Sequence, residues 1–372
     1  MYFSADDGVN GHELWKSDGT EAGTVMVMDI RLGFESSRPE HLTAVGHALY
    51  FSADDGYLGR EPWVLHAPPP KPYSISGLVF VDFNHDGEVN FGEQGIGGVA
   101  ITLTGTDDRG QAVHQAIWTQ EDGFYQFSNL RPGQYYVTQT QPDDYLQGIN
   151  CVGTLGGISW GELTEEVDQF FLDLGAAVTD PEGDTDAFNY NFGERPVAEG
   201  SIQPGQTAEI GFWQNKHGQA LIGALNGAAA STQLGDWLAA TLPNMFAHLG
   251  GKSNTEVGTH FRTLFAIRGQ KLEAQVMATA LAVYVTNQSL AGTVGQAYGF
   301  HVSTHGVGTR TYNVGSRGAA FGVEDDTELT VLDLLLATDA MTLDGVLYYA
   351  DNLSLTRALR SMANEVYSDI NR

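Results

Sequence analysis

One stretch of twelve residues limits the possible folds more than any other part of the chain. It reads Asp82-Phe83-Asn84-His85-Asp86-Gly87-Glu88-Val89-Asn90-Phe91-Gly92-Glu93. Oxygen-bearing side chains occupy its positions 1, 3 and 5, glycine occupies position 6, and glutamate occupies position 12. This spacing is typical of a loop that wraps a Ca²⁺ ion, because glycine permits the sharp turn and the oxygens converge on the cation.

Each ligand position of this loop is filled. Four predicted ligands would bind the ion through their side chains, namely Asp82, Asn84, Asp86 and Glu93. Glu88 would bind through its backbone carbonyl, and Asn90 would give a direct or water-mediated oxygen. We expect the calcium to be structural, with an affinity on the order of 10⁻⁴ to 10⁻³ M as in other extracellular modules.

The residues on either side of the loop read as strands. Phe80-Val81 precedes it and residues 96–103 follow it, with glycines where a helix would have to begin. The sequence therefore predicts a calcium loop in a β context and excludes an opening switch of the two-helix kind.

A second acidic cluster lies around Gly183 and includes Asp180, Glu182, Asp184 and Asp186. It is either a second calcium site near the end of the β domain or an ordinary solvated acidic loop. The sequence leaves both interpretations open.

The chain is strongly acidic, and the charge is uneven. The formal net charge is -28, and the first 200 residues carry 32 acidic and 8 basic side chains. Such a surface repels phosphate backbones and anionic lipids, so we expect no nucleic-acid partner. The sequence also contains no run of 18 apolar residues, so we expect no membrane span, and its first residues do not resemble a signal peptide.

Composition and internal repeats divide the chain into four segments. An internal repeat of period 48 fills residues 1–66, where Tyr2-Phe3-Ser4-Ala5-Asp6-Asp7-Gly8 recurs from Tyr50. A proline-rich linker spans 67–73, a β region spans 74–195, and a mainly helical region spans 201–372. The predicted fold is therefore a multi-domain chain, with a propeller-like β repeat fragment, an antiparallel β-sandwich of the prealbumin or immunoglobulin type, and a mainly α domain.

The repeat resembles bacterial repeats built around an ELW-SDGT-GT signature, which is present here as Glu13-Leu14-Trp15-Lys16-Ser17-Asp18-Gly19-Thr20 and Gly23-Thr24. The second copy is degenerate and reads Glu61-Pro62-Trp63. We expect this segment to be the least self-sufficient part of the chain, since two partial units cannot close a propeller.

Short β-branched and aromatic runs fill the β region. The predicted strands are Ile75 to Val81, Val99 to Thr104, Val113 to Thr119, Phe124 to Phe127 and Gln134 to Thr140. Residues 119–135 and the closing Tyr190-Asn191-Phe192-Gly193-Glu194 resemble the B domains of serine-aspartate repeat adhesins and their prealbumin-like relatives. The resemblance implies a calcium-binding sandwich on a cell surface. Some relatives carry a Lys to Asn isopeptide brace, but residues 72–200 contain no Lys.

Helical periodicity begins after Pro196. The predicted helices are Leu234 to Leu249, Thr255 to Ile267, Leu272 to Thr286, Leu329 to Met341 and Leu355 to Ile370, with Asn254 and Asp326 as N-caps. Residues 274–285 are apolar on all sides, which predicts a central helix. This region, opening with Gly211-Phe212-Trp213-Gln214-Asn215-Lys216-His217, resembles an uncharacterised domain of large planctomycete-like surface proteins.

Catalytic motifs are missing from the sequence. The helical region holds His217, His248, His260, His301 and His305, but it has no zinc-protease motif, no Gly-x-Ser-x-Gly elbow and no phosphate loop. The single cysteine, Cys151, has no base near it in sequence and is predicted to be inert.

These observations favour a non-enzymatic, calcium-stabilised structural or adhesive module of a secreted bacterial surface protein. Its expected partners are calcium and an extracellular matrix, cell-envelope or protein ligand. An extracellular or cell-surface location is inferred from the resemblance. Two alternatives remain, a metal-assisted hydrolase in the helical region and a passive spacer with no ligand except calcium.

Overall fold

A computed structural model describes residues 1–46, 48–66, 71–174, 185–349 and 353–372. The described residues form two units, Met1–Lys71 and Pro72–Arg372. Most of the predicted linker, residues 67–70, lies outside the described residues. Within the described part of the chain, no helix is both long enough and apolar enough to cross a membrane.

The first unit consists of two three-stranded antiparallel sheets. Their strands are β1 (Tyr2–Asp6), β2 (His12–Lys16), β3 (Val25–Met28), β4 (Glu40–Val45), β5 (Ala48–Asp54) and β6 (Arg60–His66). The two copies of the 48-residue repeat form equivalent hairpins, because Tyr2 pairs with Lys16 and Tyr50 pairs with Val64. The core is small and holds Leu14, Ile30, Leu49, Phe51 and Ala53. Membership of the propeller-type repeats stays a prediction.

A buried carboxylate ties the two repeats of this unit together. Glu13 is fully buried and accepts hydrogen bonds from the backbone N–H groups of Ile30 and Ser37 at 2.8 and 2.9 Å. The Ser37 hydroxyl donates a third hydrogen bond at 2.6 Å. These bonds fix the segment that connects the repeats, where a small apolar core contributes little.

The second unit begins with a β-sandwich. Its strands are β7 (Tyr73–Val81), β8 (Ala100–Asp107), β9 (Ala112–Trp118), β10 (Phe124–Leu130), β11 (Gly133–Gln139), β12 (Tyr145–Gln147), β13 (Thr154–Leu155), β14 (Ile158–Ser159), β15 (Glu162–Leu163), β16 (Gln169–Asp173), β17 (Asp186–Phe188) and β18 (Phe192–Pro196). One sheet has the order β12-β18-β7-β17-β13-β14, with β10 also paired to β7, and the other has the order β15-β16-β11-β8-β9.

At the majority of strand ends, the predicted and observed boundaries agree to within one or two residues. The expectation of two purely antiparallel sheets, however, was wrong. The β15 to β9 sheet is antiparallel throughout, whereas β7 pairs in parallel with both β17 and β18. The last two strands of the sandwich therefore run beside the first strand in the same direction. A mixed sheet of this kind cannot be recognised from the alternation of side chains within single strands.

Helices and short strands make up the rest of the unit. They are α1 (Ile210–Gln214), α2 (Lys216–Ala224), α3 (Gln233–Thr241), α4 (Pro243–Phe246), α5 (Asn254–Ala266), α6 (Leu272–Thr286), α7 (Gln288–Ala291), β19 (Thr311–Asn313), β20 (Glu328–Thr330), α8 (Val331–Ala340), β21 (Thr342–Leu343), β22 (Val346–Leu347) and α9 (Leu353–Ile370). We call residues 201–372 the helical region.

The predicted central helix is α6, in which every residue except Glu273 and Gln275 is buried. Two other expectations about the helices need correction. The predicted helix from Leu234 to Leu249 is divided, because proline at position 243 has no N–H for the preceding helix and Leu242 takes a non-helical conformation.

The predicted N-caps are also displaced. Ser253 caps α5 and forms a capping box with Glu256, while Thr330 caps α8. Asn254 lies one residue inside α5, and its buried amide donates to the carbonyls of Leu225 and Ala228. Neighbouring polar residues compete for a cap, so the sequence alone fixes its position only to within a few residues.

Truncation of the buried carboxylate tests how the repeats are held. The substitution Glu13→Ala leaves buried N–H groups without acceptors, so we expect it to lower the stability of the first unit by about 2 to 4 kcal/mol. The measurement is hydrogen exchange of residues 2–66 in the full chain.

The matched control is Glu61→Ala, at the equivalent position of the second repeat, where one carboxylate oxygen is buried without a partner in the described structure. We expect Glu61→Ala to change exchange far less. Equal effects of the two substitutions would contradict the bridging role of Glu13.

Candidate metal loop at the end of the first sandwich strand

The loop of residues 82–93, called the 82–93 loop below, leaves the end of β7. Asp82 directly follows the last residue of the strand, and its N–H donates to the Glu194 carbonyl of the neighbouring β18 at 2.9 Å. On the far side, the Val81 N–H donates to the carbonyl of Gln94. Strand pairing thus holds both ends of the loop and brings its first and last predicted ligands together.

The Asp82 carboxylate organises the turn. It is fully buried and accepts the backbone N–H groups of Asp86 and Gly87 at 3.0 and 3.1 Å. Gly87 has φ +76°, and a Cβ there would lie 2.6 Å from Ile149 and 3.1 Å from the Cys151 sulfur. Only glycine satisfies both the backbone conformation and the available space.

The middle of the loop brings four more predicted ligands together. The side-chain amide of Asn90 donates to both Asp86 carboxylate oxygens, at 3.1 and 2.9 Å, and to the Glu88 carbonyl at 3.1 Å. The Asn84 amide donates to Asp86 at 2.7 Å. The Oδ1 atom of Asn84, a residue only 7% exposed, is buried and has no hydrogen-bond partner in the described structure.

Glu93 closes the loop with both of its oxygens. Its Oε1 accepts the Phe83 N–H and its Oε2 accepts the Asn90 N–H, each at 2.8 Å. Burial, with a smaller contribution from the nearby Asp82 and Asp86, raises the pKa of Glu93 to about 8. Burial also raises the pKa of Asp82. The loop therefore concentrates carboxylates where their ionised form is unfavourable without a counter-ion.

All six predicted loop ligands lie in one connected hydrogen-bonding network. They do not, however, form a carboxylate cluster, since no three His, Cys, Asp or Glu side chains are arranged to hold a metal ion in the part of the chain that the structure describes. The groups that could complete an oxygen shell are the Asn84 and Asn90 side chains and the Glu88 carbonyl. Oxygen-only sets of this kind suit Ca²⁺ rather than Zn²⁺.

Cys151 was not predicted to contact this loop. Its thiol donates to the Gly87 carbonyl at 2.8 Å. Burial, assisted by the charges of Glu88, Asp82 and Asp86, raises the pKa of the thiol. The thiol therefore keeps its proton at neutral pH and acts as a hydrogen-bond donor, which agrees with the predicted inertness. No sequence signal links Cys151 to Gly87, because a large part of the sandwich separates them in the chain.

Only one residue of the second predicted cluster, Asp186, is described by the structure. Asp180, Glu182 and Asp184 lie outside the described residues. Asp186 begins β17 and accepts a hydrogen bond from the Ser74 hydroxyl at 2.6 Å. Ser74 lies near the start of β7, whereas the 82–93 loop follows its end, so Asp186 is separated from the loop by roughly 25 Å of strand. Asp186 is not part of the loop site, and the second site stays a prediction.

The histidines of the helical region are dispersed. His305 pairs with Glu199 at 3.0 Å, and the rings of His248 and His260 lie against each other with centroids 4.7 Å apart. Trp213 is fully buried in the helical core, where its ring meets the Phe212 ring edge to face and the Phe300 ring at a tilt. The Trp213 side chain thus packs in the core.

Comparison with known proteins places a family over part of the sandwich. Residues 73–156 match the SdrD B-like domain. Serine-aspartate repeat-containing protein F of Staphylococcus epidermidis is 37% identical over 73 residues, which cover 20% of this chain and 4% of that protein. Serine-aspartate repeat-containing protein C of Staphylococcus aureus (strain Newman) is 33% identical over 110 residues, which cover 28% of this chain and 11% of that protein.

The matched region is thus a small fraction of each relative. Among solved structures, BcpA, the major pilin subunit of Bacillus cereus, aligns with 40% of this chain and 37% of its own at 12% identity and a TM-score of 0.21. That score is too low to support an argument. The resemblance to serine-aspartate repeat B domains predicted from the sequence is confirmed for residues 73–156, and the resemblances of the repeat and the helical region stay predictions.

The raised pKa of Glu93 gives a pH dependence that can be measured without calcium. A carboxyl group that binds its proton more tightly in the folded state stabilises the fold below its unfolded pKa, near 4.5, and this contribution is lost as pH rises through about 8. We expect calcium-free protein to lose about 1 to 3 kcal/mol of unfolding free energy between pH 5 and pH 9 through this group.

The measurement is denaturant unfolding of the full chain at several pH values, beside the neutral variant Glu93→Gln. The difference between the two proteins isolates this carboxyl group from the others that titrate. A wild-type stability that rises with pH relative to Glu93→Gln would contradict the account.

Proposed function

We propose that residues 73–195 form a calcium-stabilised structural module of a secreted bacterial surface protein, with no enzymatic activity of its own. The observation that carries the proposal is the 82–93 loop, which combines the buried carboxylate of Asp82 and the half-buried one of Glu93 with a buried Asn84 amide oxygen that has no partner in the described structure. A polar oxygen buried without a partner is costly, and a bound cation would satisfy it.

The residues of the loop fit a hard divalent cation. Asp82, Asp86 and Glu93 supply negative charge, and Asn84, Asn90 and the Glu88 carbonyl supply neutral oxygens. A Ca²⁺ ion bound among them would replace repulsion between carboxylates with attraction to a common centre. Each of these residues would then link strand ends that are otherwise held by a few backbone hydrogen bonds.

The surface location follows from the relatives rather than from the loop. The matched domain also occurs in serine-aspartate repeat proteins of staphylococci, and the sequence of this chain resembles adhesins of that kind. We therefore propose that the chain works outside the cell, as a stiffened segment that carries or presents binding surfaces to an extracellular matrix, cell-envelope or protein partner.

The two alternatives differ in what they require. A metal-assisted hydrolase needs clustered ligands in the helical region, where His305 pairs with Glu199 and the His248 ring contacts the His260 ring. A passive spacer needs only the calcium loop. No feature of the described structure favours the hydrolase, and the spacer differs from the adhesive module only in lacking a partner.

Chelation should destabilise the sandwich through the loop. At about 50 mM calcium, which exceeds the whole expected range of dissociation constants, binding to the folded state should raise the melting temperature of the full chain by about 3 to 8 °C over that in excess chelator. The double variant Asp82→Ala, Glu93→Ala should show no such difference.

The matched control is Glu121→Gln, which removes an exposed carboxylate of the same sandwich outside the loop. It should retain the full calcium effect. Equal melting temperatures of the wild-type protein with calcium and with chelator would remove the basis of the proposal.

A further inference from the structure

The 82–93 loop contacts the helical region as well as the sandwich. Phe83, the second loop residue, is 8% exposed, and together with Val81 it belongs to the buried apolar cluster of the helical region rather than to the sandwich core. A Cβ on Gly308 would lie 2.7 Å from the Phe83 ring and 3.2 Å from Val283 of α6. The ring therefore rests on bare backbone, beside the central helix.

The other end of the loop makes a second contact of this kind. Gly92 has φ +89°, and a Cβ at this position would collide with the Leu290 side chain of α7. Leu290 is 3% exposed. A small cavity of about 50 Å³ lies between these contacts, and its lining includes Glu93 from the loop and Asn287 and Ser289 from the helical region. A predicted ligand of the cation thus borders the junction directly.

Phe83 contacts the predicted ligand Glu93 through its backbone and the helical region through its side chain. The Phe83 N–H donates to the Glu93 carboxylate, while the Phe83 ring points into the helical core. Any rearrangement that moves Glu93 away from its position therefore moves the backbone that holds the ring. Ionised carboxylates without a counter-ion would repel one another, and this repulsion would weaken both the closure of the loop and the apolar contact of Phe83.

Other contacts across the junction are weaker. The Arg195 and Asp333 side chains form an ion pair at 2.6 Å, and both are about one-third exposed. Ion pairs in such positions contribute little compared with a buried aromatic ring. Ile96 and Tyr145 of the sandwich also pack against the helical cluster but are only partly buried, whereas Phe83 places a buried aromatic ring in it.

We propose that calcium bound to the 82–93 loop controls the docking of the helical region onto the sandwich, with Phe83 as the residue that transmits the effect. This inference rests on the proposed calcium site and adds its regulation. Calcium would set the rigidity of the whole second unit, not only that of the sandwich. By thermodynamic reciprocity, docking of the helical region would in turn tighten calcium binding.

The test combines calorimetric titration of calcium with hydrogen exchange of the full chain. In the wild-type protein, we expect calcium removal to speed exchange at residues 283–290 and 303–309 by about tenfold or more. Phe83→Ala should show fast exchange at these residues with or without calcium, and it should bind calcium about tenfold more weakly.

The matched control is Phe91→Ala, which truncates a second phenylalanine of the same loop that is 43% exposed. It should behave as the wild type does. Leu290→Ala removes the contact from the helical side without altering the loop, so it repeats the test if Phe83→Ala fails to fold. Retained protection of residues 125–127 reports an intact sandwich in each variant.

The outcomes separate this inference from the calcium proposal. Calcium binding by calorimetry with no change of exchange in the helical region would overturn the inference and leave the calcium site intact. Calcium affinity in Phe83→Ala and Leu290→Ala equal to that of the wild type would also overturn it. No calcium binding to the wild type would overturn both.

Discussion

Burial of carboxylates at the end of β7 is the constraint that shapes the 82–93 loop. Asp82, Asp86 and Glu93 lie within one turn of chain, and burial raises the pKa of Asp82 and Glu93. A protein can satisfy such a group with backbone donors, with protons or with a cation. The loop already uses backbone donors, since five of its bonds run from N–H groups to carboxylates. The buried Oδ1 atom of Asn84 still has no donor in the described structure.

The position of the loop extends this constraint beyond the sandwich. Its first residue pairs with the last strand of the sheet, and its second residue lies in the helical core. Gly308 and Gly92 permit the close approach, because a side chain at either position would displace Phe83 or Leu290. A short segment therefore joins two regions that the sequence separates into distinct domains. Their division into independent folding domains stays a prediction, and in the structure they form one unit.

Much of this arrangement could be predicted from local patterns. Strand alternation predicted the sandwich, and an uninterrupted apolar run predicted α6 as the central helix. The spacing of oxygen-bearing residues predicted the 82–93 loop as a calcium site, which stays a prediction. These signals are local because each depends on residues close together in the chain. The parallel pairing of β17 and β18 with β7 could not be predicted in this way, since pairing partners across long sequence separations leave no periodic trace.

The two phenylalanines of the loop illustrate the same limit. Phe83 and Phe91 are identical in type and close in sequence, yet Phe83 is buried in the helical core and Phe91 is 43% exposed. Phe83 packs against the distant Gly308 and the rest of the helical core, which no local pattern predicts. The contact between Cys151 and Gly87 is equally remote in sequence. The predicted calcium ligands follow a spacing rule, whereas the residues proposed to transmit the effect of calcium are selected by tertiary packing.

The most direct test of the account is a crystal structure of the full chain grown with calcium, with anomalous diffraction to identify the ion. The account predicts one calcium in the 82–93 loop, with oxygens of Asp82, Asn84, Asp86, Glu88 and Glu93 at about 2.3 to 2.6 Å. Occupied calcium elsewhere in the sandwich, together with an 82–93 loop closed only by its own hydrogen bonds, would contradict it.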